Sequence, residues 1–538
     1  MDLRQGCLNA LLLAGLAGLF GGVPVAAQDA DLELQGKRLY RDGILPSGEP
    51  VVATVAGGVQ TRGRQAACAT CHRKSGLGAA EGQNVIRPLT VPGFFAGQEN
   101  TRRYARPRFV RVRQLQYTDE AFDRALREGA SIDGRTLNPL MPRYQLDTQA
   151  IAALRAYLTS VALRPAPGVT DTDIHFATII APDAEPRVRE ATLRVLTAMV
   201  DTHNAGTRSE SHRRQAGIES MHVDWRRWTL HVWELTGGPE TWQAQLDRYL
   251  GAQPVFSVLS GAGGDWRPVH DFCERQELPC LFPNVDLPGR SEPGSYTLYL
   301  SRGLLLEADV MVRHLAEQGV SGSVVQIRHD AFRAGAAADA FREAWRARGK
   351  GEVVEKVLRP GDRMNTVLDG VRATKPAAVI LWLEGADLAQ LGANDLPANA
   401  LLLASGTLLG EAPPALAPRM EDRLLVVWPF ALPTVGEPPL DRVRQWITAR
   451  GIGEGNQRAQ ANTYFAASMA GDAITQLANN YSQEYLIERI EHGANRSLAT
   501  GAFPLAELGP GQRFASKGAY LGRLRGGALT QAGPWTVP

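Results

Sequence analysis

The sequence predicts two consecutive parts, an all-α unit followed by a larger doubly wound α/β unit. Upstream of residue 164, apolar residues recur with the spacing of amphipathic helices, and glycine-rich segments separate them. Downstream, short apolar runs alternate with helical segments, which is typical of βαβ units. A polar stretch with two prolines at residues 164–173 joins the two patterns and predicts a linker. A chain of 538 residues is long for one hydrophobic core, which agrees with this division.

Residues 1–27 have the features of a cleaved secretory signal peptide. Arg4 precedes an apolar run at residues 10–20, and Val25-Ala26-Ala27 supplies the small residues of a cleavage site. The apolar run is short for a bilayer span and no later run reaches about 18 apolar residues, so we expect a mature chain without a transmembrane segment. A retained N-terminal anchor is the alternative. Export predicts a periplasmic location, where thiols meet an oxidising environment.

Composition and motifs exclude several functional classes. The 58 Lys and Arg nearly balance the 56 Asp and Glu, which gives no indication of nucleic-acid binding. No Gly-x-Gly-x-x-Gly or phosphate-loop sequence follows any predicted strand, so nucleotide binding has no support. A hydrolytic enzyme is a distant alternative, because neither a nucleophile-elbow motif nor a zinc-ligand helix is found in the sequence.

The most informative motif is Cys68-Ala69-Thr70-Cys71-His72, because Cys-x-x-Cys-His is the attachment site of a c-type haem. With five cysteines and ten histidines, composition predicts only about 0.001 such pentads by chance. Cys68 and Cys71 would form thioethers with the haem vinyl groups, and His72 would bind the iron. The alternatives are a lone disulfide and half of a zinc site, although zinc would favour a second Cys-x-x-Cys, which the sequence lacks.

Met141 is the candidate for the second axial ligand. Between residues 28 and 170 there is no second histidine and no other methionine, so elimination points to Met141. Pro139 and Pro142 stiffen the backbone beside it, and a covalently held haem gives a weak thioether ligand a high effective concentration. The alternative is that Met141 is an ordinary core residue, which would leave the iron five-coordinate or bound to water.

The upstream part resembles the class I cytochrome c family over about residues 30–163, and we place the domain at residues 28–164. Helical periodicity predicts three helices at residues 31–40, 119–128 and 148–162. The resemblance is carried by residues 36–40 in the first helix, the motif at residues 68–72, residues 141–144, and residues 154–158 in the last helix. It implies an all-α fold with one haem c, in which the first and last helices cross at Gly36 and Tyr157. His/Met ligation raises the reduction potential relative to bis-histidine ligation, which favours electron transfer over peroxidase chemistry.

The downstream part, residues 165–538, alternates strand and helix candidates. The strand candidates are residues 176–180, 230–235, 255–259, 324–327, 378–383, 401–404 and 424–428. The helix candidates are residues 186–204, 239–250, 304–318, 332–348, 441–450 and 459–479. Cys273 and Cys280 lie at the end of an amphipathic segment and the start of an apolar one, so a short turn would bring them within bridging reach. We expect a structural disulfide, with two buried free thiols as the alternative.

This part resembles the type I periplasmic binding proteins, specifically the branched-chain amino-acid and amide receptors. The matching stretches are residues 324–330, 365–380, 461–467 and 518–520. The resemblance implies two lobes joined by three crossings, a hinge that closes the cleft, and a small-molecule ligand beyond the carboxyl ends of the strands. Candidate ligand contacts are residues 260–263, Arg328, His329 and Glu384, and the alternative is that they are loop residues without a ligand role. Trp266 and Trp428 are either cleft aromatics suited to an apolar or aromatic ligand, or core residues. The turn at residues 181–186 lacks the Gly-rich polar sequence common in amino-acid receptors, so the ligand stays open.

Together these features predict a non-enzymatic, exported monohaem cytochrome c fused to a small-molecule-binding domain. By analogy with quinoprotein alcohol dehydrogenase systems, its electrons would come from a periplasmic dehydrogenase and pass to an oxidase or another cytochrome. The alternative is a transport or sensory receptor of the ABC-transporter type, in which the haem is an accessory redox group.

Overall fold

The computed structural model describes residues 25–81, 84–96, 116–216, 225–289, 294–392, 394–432, 438–493 and 502–538. These residues form two compact units that meet in sequence between Arg164 and Pro165. Residues 1–24, and with them most of the predicted signal peptide, lie outside the described residues. In the ranges given above, no helix combines the length and the apolar character needed to cross a membrane.

The N-terminal unit contains helices and short strands. Its helices are α1 (Val25–Asp42), α2 (Ala69–His72), α3 (Asp119–Arg127) and α4 (Thr148–Leu163). Its strands are β1 (Val52–Thr54), β2 (Gln60–Arg62), β3 (Ala79–Glu81), β4 (Asn84–Ile86) and β5 (Arg143–Tyr144). The three predicted helices are confirmed as parts of α1, α3 and α4. The side chains of Thr118 and Asp147 fix where α3 and α4 begin, because each accepts a hydrogen bond from a backbone N–H in the first turn.

The prediction of an all-α unit is wrong in one respect, because the glycine-rich segments pair into small sheets. β1 pairs antiparallel with both β2 and β5, and β3 pairs antiparallel with β4. Gly57 and Gly58, with φ values of 82° and 77°, reverse the chain between β1 and β2. The pairing gives backbone groups of these irregular segments hydrogen-bond partners that no helix supplies.

The expected crossing of the first and last helices is present and depends on Gly36. A Cβ atom at Gly36 would lie 1.9 Å from the carbonyl oxygen of Ala153 and 2.8 Å from Cβ of Tyr157. Only glycine therefore permits this approach of α1 to α4. The ring of Tyr40 packs against Tyr157 with 5.4 Å between centroids, and Nε of Arg41 donates a hydrogen bond to the Tyr157 hydroxyl.

The C-terminal unit is built from alternating strands and helices. In chain order its strands are β6 (Asp173–Ile180), β7 (Arg227–Glu234), β8 (Ser257–Leu259), β9 (Cys280–Leu281), β10 (Thr297–Ser301), β11 (Val324–His329), β12 (Val353–Leu358), β13 (Ala378–Trp382), β14 (Leu401–Ser405), β15 (Leu424–Trp428), β16 (Phe514–Ser516), β17 (Tyr520–Arg525) and β18 (Ala528–Gln531).

Its helices are α5 (Pro186–Gly206), α6 (Glu210–Gln215), α7 (Trp242–Ala252), α8 (Arg267–Arg275), α9 (Leu304–Glu317), α10 (Phe332–Ala347), α11 (Met364–Thr374), α12 (Gly385–Leu388), α13 (Gly406–Leu409), α14 (Pro418–Arg423), α15 (Pro438–Thr448), α16 (Gln457–Leu477) and α17 (Gln483–Gly493). Every strand and helix candidate of this part coincides with one of these elements.

These strands form two sheets, one in each of two lobes. The sheet of lobe 1 has six strands in the order β16-β10-β9-β8-β6-β7, and all its pairs are parallel. The sheet of lobe 2 has seven strands in the order β12-β11-β13-β14-β15-β17-β18, with β17 and β18 antiparallel. The chain crosses between the lobes three times, after β10, after β15 and after β16. This two-lobed α/β arrangement with three crossings is the one that the resemblance implies.

Apolar clusters fill both lobes. In lobe 2 one cluster under α9 and α10 and a second on the other face enclose the sheet, so β11, β13 and β14 are buried on both sides. In lobe 1 a cluster contains Trp233, Trp242 and Trp266. Because strands buried on both faces must be apolar throughout, these read in sequence as short continuous apolar runs. We call the edge of each sheet at the carboxyl ends of its parallel strands the rim of that lobe. The residues that follow each strand lie at this rim.

Candidate functional site

The Cys-x-x-Cys-His motif lies on the short helix α2 and the residue before it. Cys68 precedes the first residue of α2, and the helix ends at His72, which is 9% exposed. Cys68 and Cys71 are both free of disulfide bonds, so the lone-disulfide alternative has no support in the structure. Both thiols and the imidazole therefore lie within about one helical turn of each other.

The imidazole of His72 is oriented by the backbone. Its Nδ1 lies 2.9 Å from the carbonyl oxygen of Arg87, and burial lowers the pKa of His72 to about 4. The ring is therefore neutral near pH 7, and the proton that bonds Arg87 sits on Nδ1. Nε2 then carries the lone pair. Metal-binding histidines use this arrangement, in which one ring nitrogen donates to a carbonyl and the other is left to bind the metal.

The segment after α2 folds back to bring Arg87 to His72. The backbone N–H of Gly78 donates to the carbonyl oxygen of His72 at 3.2 Å. Farther along, the hydroxyl of Thr90 donates to the carbonyl oxygen of Ser75 at 2.6 Å. No residue type in the sequence marks this path, because the partner of His72 is a backbone oxygen that any residue would supply.

The Cys68 thiol lies in an environment that favours its protonated form. Burial raises the pKa of the Cys68 thiol to about 12, against an opposing hydrogen bond with Tyr144. Within the part of the chain that the structure describes, no group of three or more His, Cys, Asp or Glu side chains is arranged to hold a metal ion.

Met141 lies in the segment between α3 and β5. The Met141 N–H donates to the carbonyl oxygen of Asn138 at 2.9 Å, and the Arg143 guanidinium donates to the carbonyl oxygen of Met141. Tyr144, three residues after Met141, is hydrogen-bonded to Cys68. The segment that carries the predicted second ligand therefore contacts the predicted attachment motif. The neutral His72, the free thiols and this neighbouring methionine fit a haem c.

In the C-terminal unit the candidate site is the rim of lobe 1. Residues that follow β6, β8 and β9 lie side by side there, since Ala262 forms bridges with Ile180 and with Asn284. Ser260 and Phe282, which directly follow β8 and β9, have φ values of 53° and 54°. Non-glycine residues are strained in this region of φ, and such strain clusters at ligand-binding sites.

A buried polar cluster lies at this rim around Asn284. Its Nδ2 is 2.9 Å from the hydroxyl of Thr463, 3.1 Å from that of Thr192 and 3.2 Å from that of Ser260. Thr463 belongs to α16 and Thr192 to α5, so the cluster joins two helices to the ends of β8 and β9. The Asn284 Oδ1 atom is buried and has no hydrogen-bond partner among the described residues. Asn462, which is 8% exposed, has a second unpartnered Oδ1 atom.

Asp183, in the turn after β6, occupies backbone amides of the same rim. Its carboxylate accepts hydrogen bonds from Gly264 N–H at 3.0 Å and from Asp265 N–H at 3.3 Å. This turn lacks the Gly-rich polar sequence common in amino-acid receptors. It instead places the Asp183 carboxylate against the backbone amides. The contact of Asp183 with these amides was not predicted from the sequence, although its position in the turn after β6 was a usable signal.

The predicted ligand contacts of lobe 2 have other partners. Arg328 Nε donates to Glu355 on β12 at 2.7 Å, and Arg328 is thereby directed along the sheet. His329 Nε2 pairs with the carboxylate of Asp387. Glu384 is exposed. Of these three residues, His329 lies at the rim in a polar pair, because its partner Asp387 belongs to α12, the helix that follows β13.

The two tryptophans proposed for an apolar ligand lie in the core. Trp266 is 0% exposed and belongs to the apolar cluster of lobe 1. Trp428 is 6% exposed, and its Nε1 donates to the carbonyl oxygen of Ala431. An apolar ligand therefore receives no open aromatic face from either residue, and of the two alternatives the structure favours core residues.

Side chains at the two rims contact each other. Asp286, which follows β9 of lobe 1, forms an ion pair of 3.0 Å with Arg333 in the first turn of α10 of lobe 2. The Arg267 guanidinium of lobe 1 lies 5.4 Å from the ring centroid of Phe332 in lobe 2. The carboxyl ends of the two sheets therefore enclose a common cleft.

A second set of contacts closes the cleft around the first turn of α16. Glu411 of lobe 2 accepts hydrogen bonds from the backbone N–H groups of Gln457, at 3.1 Å, and Arg458. The Arg458 side chain donates to the carbonyl oxygen of Gly410 at 2.6 Å and lies 3.7 Å from the ring centroid of Phe430. Burial lowers the pKa of Arg458. Glu411 thus caps a helix of lobe 1 from lobe 2.

Cys273 and Cys280 are joined by a disulfide between α8 and β9. Both residues are buried in the apolar cluster of lobe 1. The disulfide holds the last turn of α8 against the strand that leads to Asn284.

Comparisons with known proteins find matches among solved structures. No family model and no curated protein matches the sequence. A type 1 periplasmic binding protein from Bordetella pertussis Tohama I matches at 17% identity and a TM-score of 0.47, over 68% of this chain and 100% of that chain. A branched-chain amino-acid ABC transporter protein from Thermus thermophilus with bound valine matches at 13% identity and a TM-score of 0.48, over 69% of this chain and 98% of that chain.

A fatty acid ABC transporter substrate-binding protein from Thermomonospora curvata also matches, at 16% identity and a TM-score of 0.48, over 70% of this chain and 95% of that chain. The two-lobed α/β fold rests on the strand order and the crossings described above.

Proposed function

We propose that the C-terminal unit is a receptor for a small solute, which binds between the two lobes. The observation that carries this proposal is the Asp286–Arg333 ion pair, because it joins residues that follow strands in opposite sheets. Ligands of parallel α/β sheets bind beyond the carboxyl ends of the strands, and two facing rims make such a site a cleft that closes by a hinge. The buried, unpartnered oxygens of Asn284 and Asn462 supply polar groups for a ligand.

The receptor would act outside the cytoplasm. The signal-like features of residues 1–27 support export to the periplasm, and the disulfide agrees with an oxidising compartment. By analogy with the ABC-transporter names of the matching structures, a permease is a partner to test. The receptor role is therefore the main function proposed for the chain.

A thermal-shift screen of the purified full-length protein tests this function. A solute that binds the folded state alone raises the unfolding temperature, in proportion to the logarithm of its concentration above Kd. Neutral, cationic and anionic solutes should be screened separately. The proposal predicts at least one class with a saturable shift, and a screen in which none of the three classes shifts the unfolding temperature would contradict it.

We propose further that the N-terminal unit holds one haem c through Cys68 and Cys71, with His72 and Met141 as axial ligands. The support is the His72–Arg87 hydrogen bond, which leaves Nε2 as the atom available to iron. When bound, haem c would supply one-electron redox chemistry. A periplasmic dehydrogenase as electron donor and an oxidase or cytochrome as acceptor are the partners that this second function would need.

Absorption spectroscopy of the exported protein under denaturing conditions tests the haem, because only a covalently bound haem stays with the unfolded chain. The C68A/C71A variant should lose the haem absorption. The matched control is C273S/C280S, which removes two cysteines outside the motif and should keep it. Equal haem content in both variants would contradict attachment at the motif.

A further inference from the structure

The cleft contains several backbone amides that would suit an anion, and carboxylates of the chain already occupy them. Asp183 binds the amides of Gly264 and Asp265 in lobe 1. Glu411 binds the two amides at the start of α16. Both side chains are exposed, and a solute carboxylate would have to displace one of them and bring its own negative charge close to that carboxylate, which is unfavourable.

Glu307, in the first turn of α9, likewise occupies a backbone amide at the rim of lobe 2. Its carboxylate accepts hydrogen bonds from the N–H of Thr407, at 2.9 Å, and from the Thr407 hydroxyl, at 2.6 Å, and it also pairs with Ser405. Glu307 is 0% exposed. The amide that follows β14 is therefore also closed to an anion.

The arginines of the cleft are also engaged. Arg267 forms two hydrogen bonds with Asp265, at 2.9 Å from Nε and 2.7 Å from Nη2. Arg333 pairs with Asp286, and Arg458 donates to the carbonyl oxygen of Gly410. Each positive charge that could attract a carboxylate is balanced or committed, so the cleft offers an anion little electrostatic gain.

The polar atoms of the cleft that have no hydrogen-bond partner belong to neutral side chains or to an arginine that is already paired with a carboxylate. Oδ1 of Asn284 and Oδ1 of Asn462 are buried acceptors without a described partner, and Nε of Arg333 is a buried donor in the same condition. Asn462 lies one helical turn from Arg458, so it shares the face of α16 that reaches the cleft. A hydroxyl group both donates and accepts, and it therefore satisfies either kind of atom without adding charge.

We infer that the cleft binds an uncharged, hydroxyl-bearing solute and discriminates against carboxylates, with Asn284 as a ligand contact and Asp183 as the residue that excludes anions. The inference rests on the proposed receptor function and specifies its ligand class.

Titration calorimetry with the full-length protein tests the ligand class through pairs that share a carbon skeleton. The pairs are 1-butanol with butanoate, glycerol with glycerate, and leucinol with leucine. In every pair that binds, the hydroxyl member should bind at least about tenfold more tightly than the carboxylate. Equal or tighter binding of the carboxylate members would overturn the ligand class while the receptor function stands.

Variants of Asp183 test the exclusion of carboxylates, and variants of Asn284 test the recognition of hydroxyl groups. D183A frees the amides of Gly264 and Asp265, so carboxylate members should gain about tenfold in affinity. N284A should cost the hydroxyl members about tenfold and leave the carboxylate members of D183A/N284A unchanged relative to D183A.

The matched control is E274A. Glu274 also binds backbone amides, those of Ser295, Tyr296 and Thr297 at 2.5–2.9 Å, but at the opposite end of lobe 1. The E274A variant should fold, as circular dichroism can verify. Its selectivity between hydroxyl and carboxylate members should equal that of the wild type. A gain of carboxylate affinity in E274A equal to that in D183A would overturn the role of Asp183. If no member of any pair binds a folded wild type or D183A, the receptor function fails and this inference fails with it.

Discussion

Nδ1 of His72 lies 2.9 Å from the carbonyl oxygen of Arg87, fifteen residues farther along the chain. This contact fixes both the tautomer and the ring plane of the imidazole, and it does so before any metal is bound. Because the ring is buried and its pKa is lowered to about 4, Nε2 keeps its lone pair at neutral pH. The proposed axial ligand is thus preorganised by backbone alone.

Replacing Met141 by alanine is expected to lower the reduction potential of the haem without releasing it. The two thioethers and His72 do not depend on the methionine side chain, whereas His/Met ligation holds the potential above that of other ligand sets. A redox titration measures the change. M364A, which alters a methionine of lobe 2, is the control and should leave the potential unchanged. An unchanged potential in M141A would show that Met141 is not a ligand.

Replacing Glu307 by glutamine is expected to remove one component of the pH dependence of stability. Burial raises the pKa of Glu307 from 4.5 to about 7 in the folded protein. Because the folded state then holds the proton more tightly than the unfolded chain, the stabilising contribution is complete below pH 4.5 and is lost as the pH rises through 7. The lost free energy of unfolding is on the order of 3 kcal/mol.

Chemical denaturation of the wild type and E307Q at about pH 5 and about pH 8 measures this component. Other titrating groups contribute equally to both proteins, so the difference between them isolates Glu307. The stability of the wild type should fall more steeply with pH than that of E307Q. Equal slopes would mean that Glu307 titrates as an exposed carboxyl group does.

Replacing Glu411 by alanine is expected to weaken the contact between the lobes. The carboxylate caps the first turn of α16 from the other lobe, and losing a helix cap costs about 1 kcal/mol. That cost falls on the closed form, so the affinity for solute should drop about fivefold with little change in the stability of either lobe. E421A is the control, because Glu421 binds the Gly526 amide within lobe 2. An equal loss of affinity in both variants would contradict the role of Glu411 in closure.

Removing the disulfide in C273S/C280S is expected to reduce the stability of lobe 1. The bonded cysteines are seven residues apart, and closing so short a loop in the unfolded chain contributes about 2 kcal/mol. Urea denaturation measures the difference. If thiol titration of the unfolded C68A/C71A variant, which lacks the two cysteines of the motif, finds both Cys273 and Cys280 reactive, these cysteines are free and C273S/C280S should lose less stability.

Sequence patterns sufficed for the elements with a clear period. Helix α16 and strand β13 were predicted because one is long and amphipathic and the other is a continuous buried run. β9 has only two residues, and β12 lies at the edge of its sheet with mostly half-buried residues, so neither has an apolar run of diagnostic length. Pairing with neighbours, rather than local propensity, makes them strands.

The site residues could be predicted where their function needs particular side chains. They could not be predicted where the contact is made by a backbone group. The motif at residues 68–72 can be found by spacing alone. The partners of His72 and Asp183 are backbone groups, which every residue carries, so no residue type marks them. The burial of Trp266 likewise depends on packing across lobe 1, which its position after a strand does not reveal.

Hydrogen–deuterium exchange of the full-length protein with and without a bound solute tests the central claim most directly. If the solute binds between the two rims, protection should rise together at residues 260–265 and 282–286 of lobe 1 and at residues 329–333 of lobe 2. Protection confined to one lobe, or found only away from these three segments, would contradict binding in the cleft.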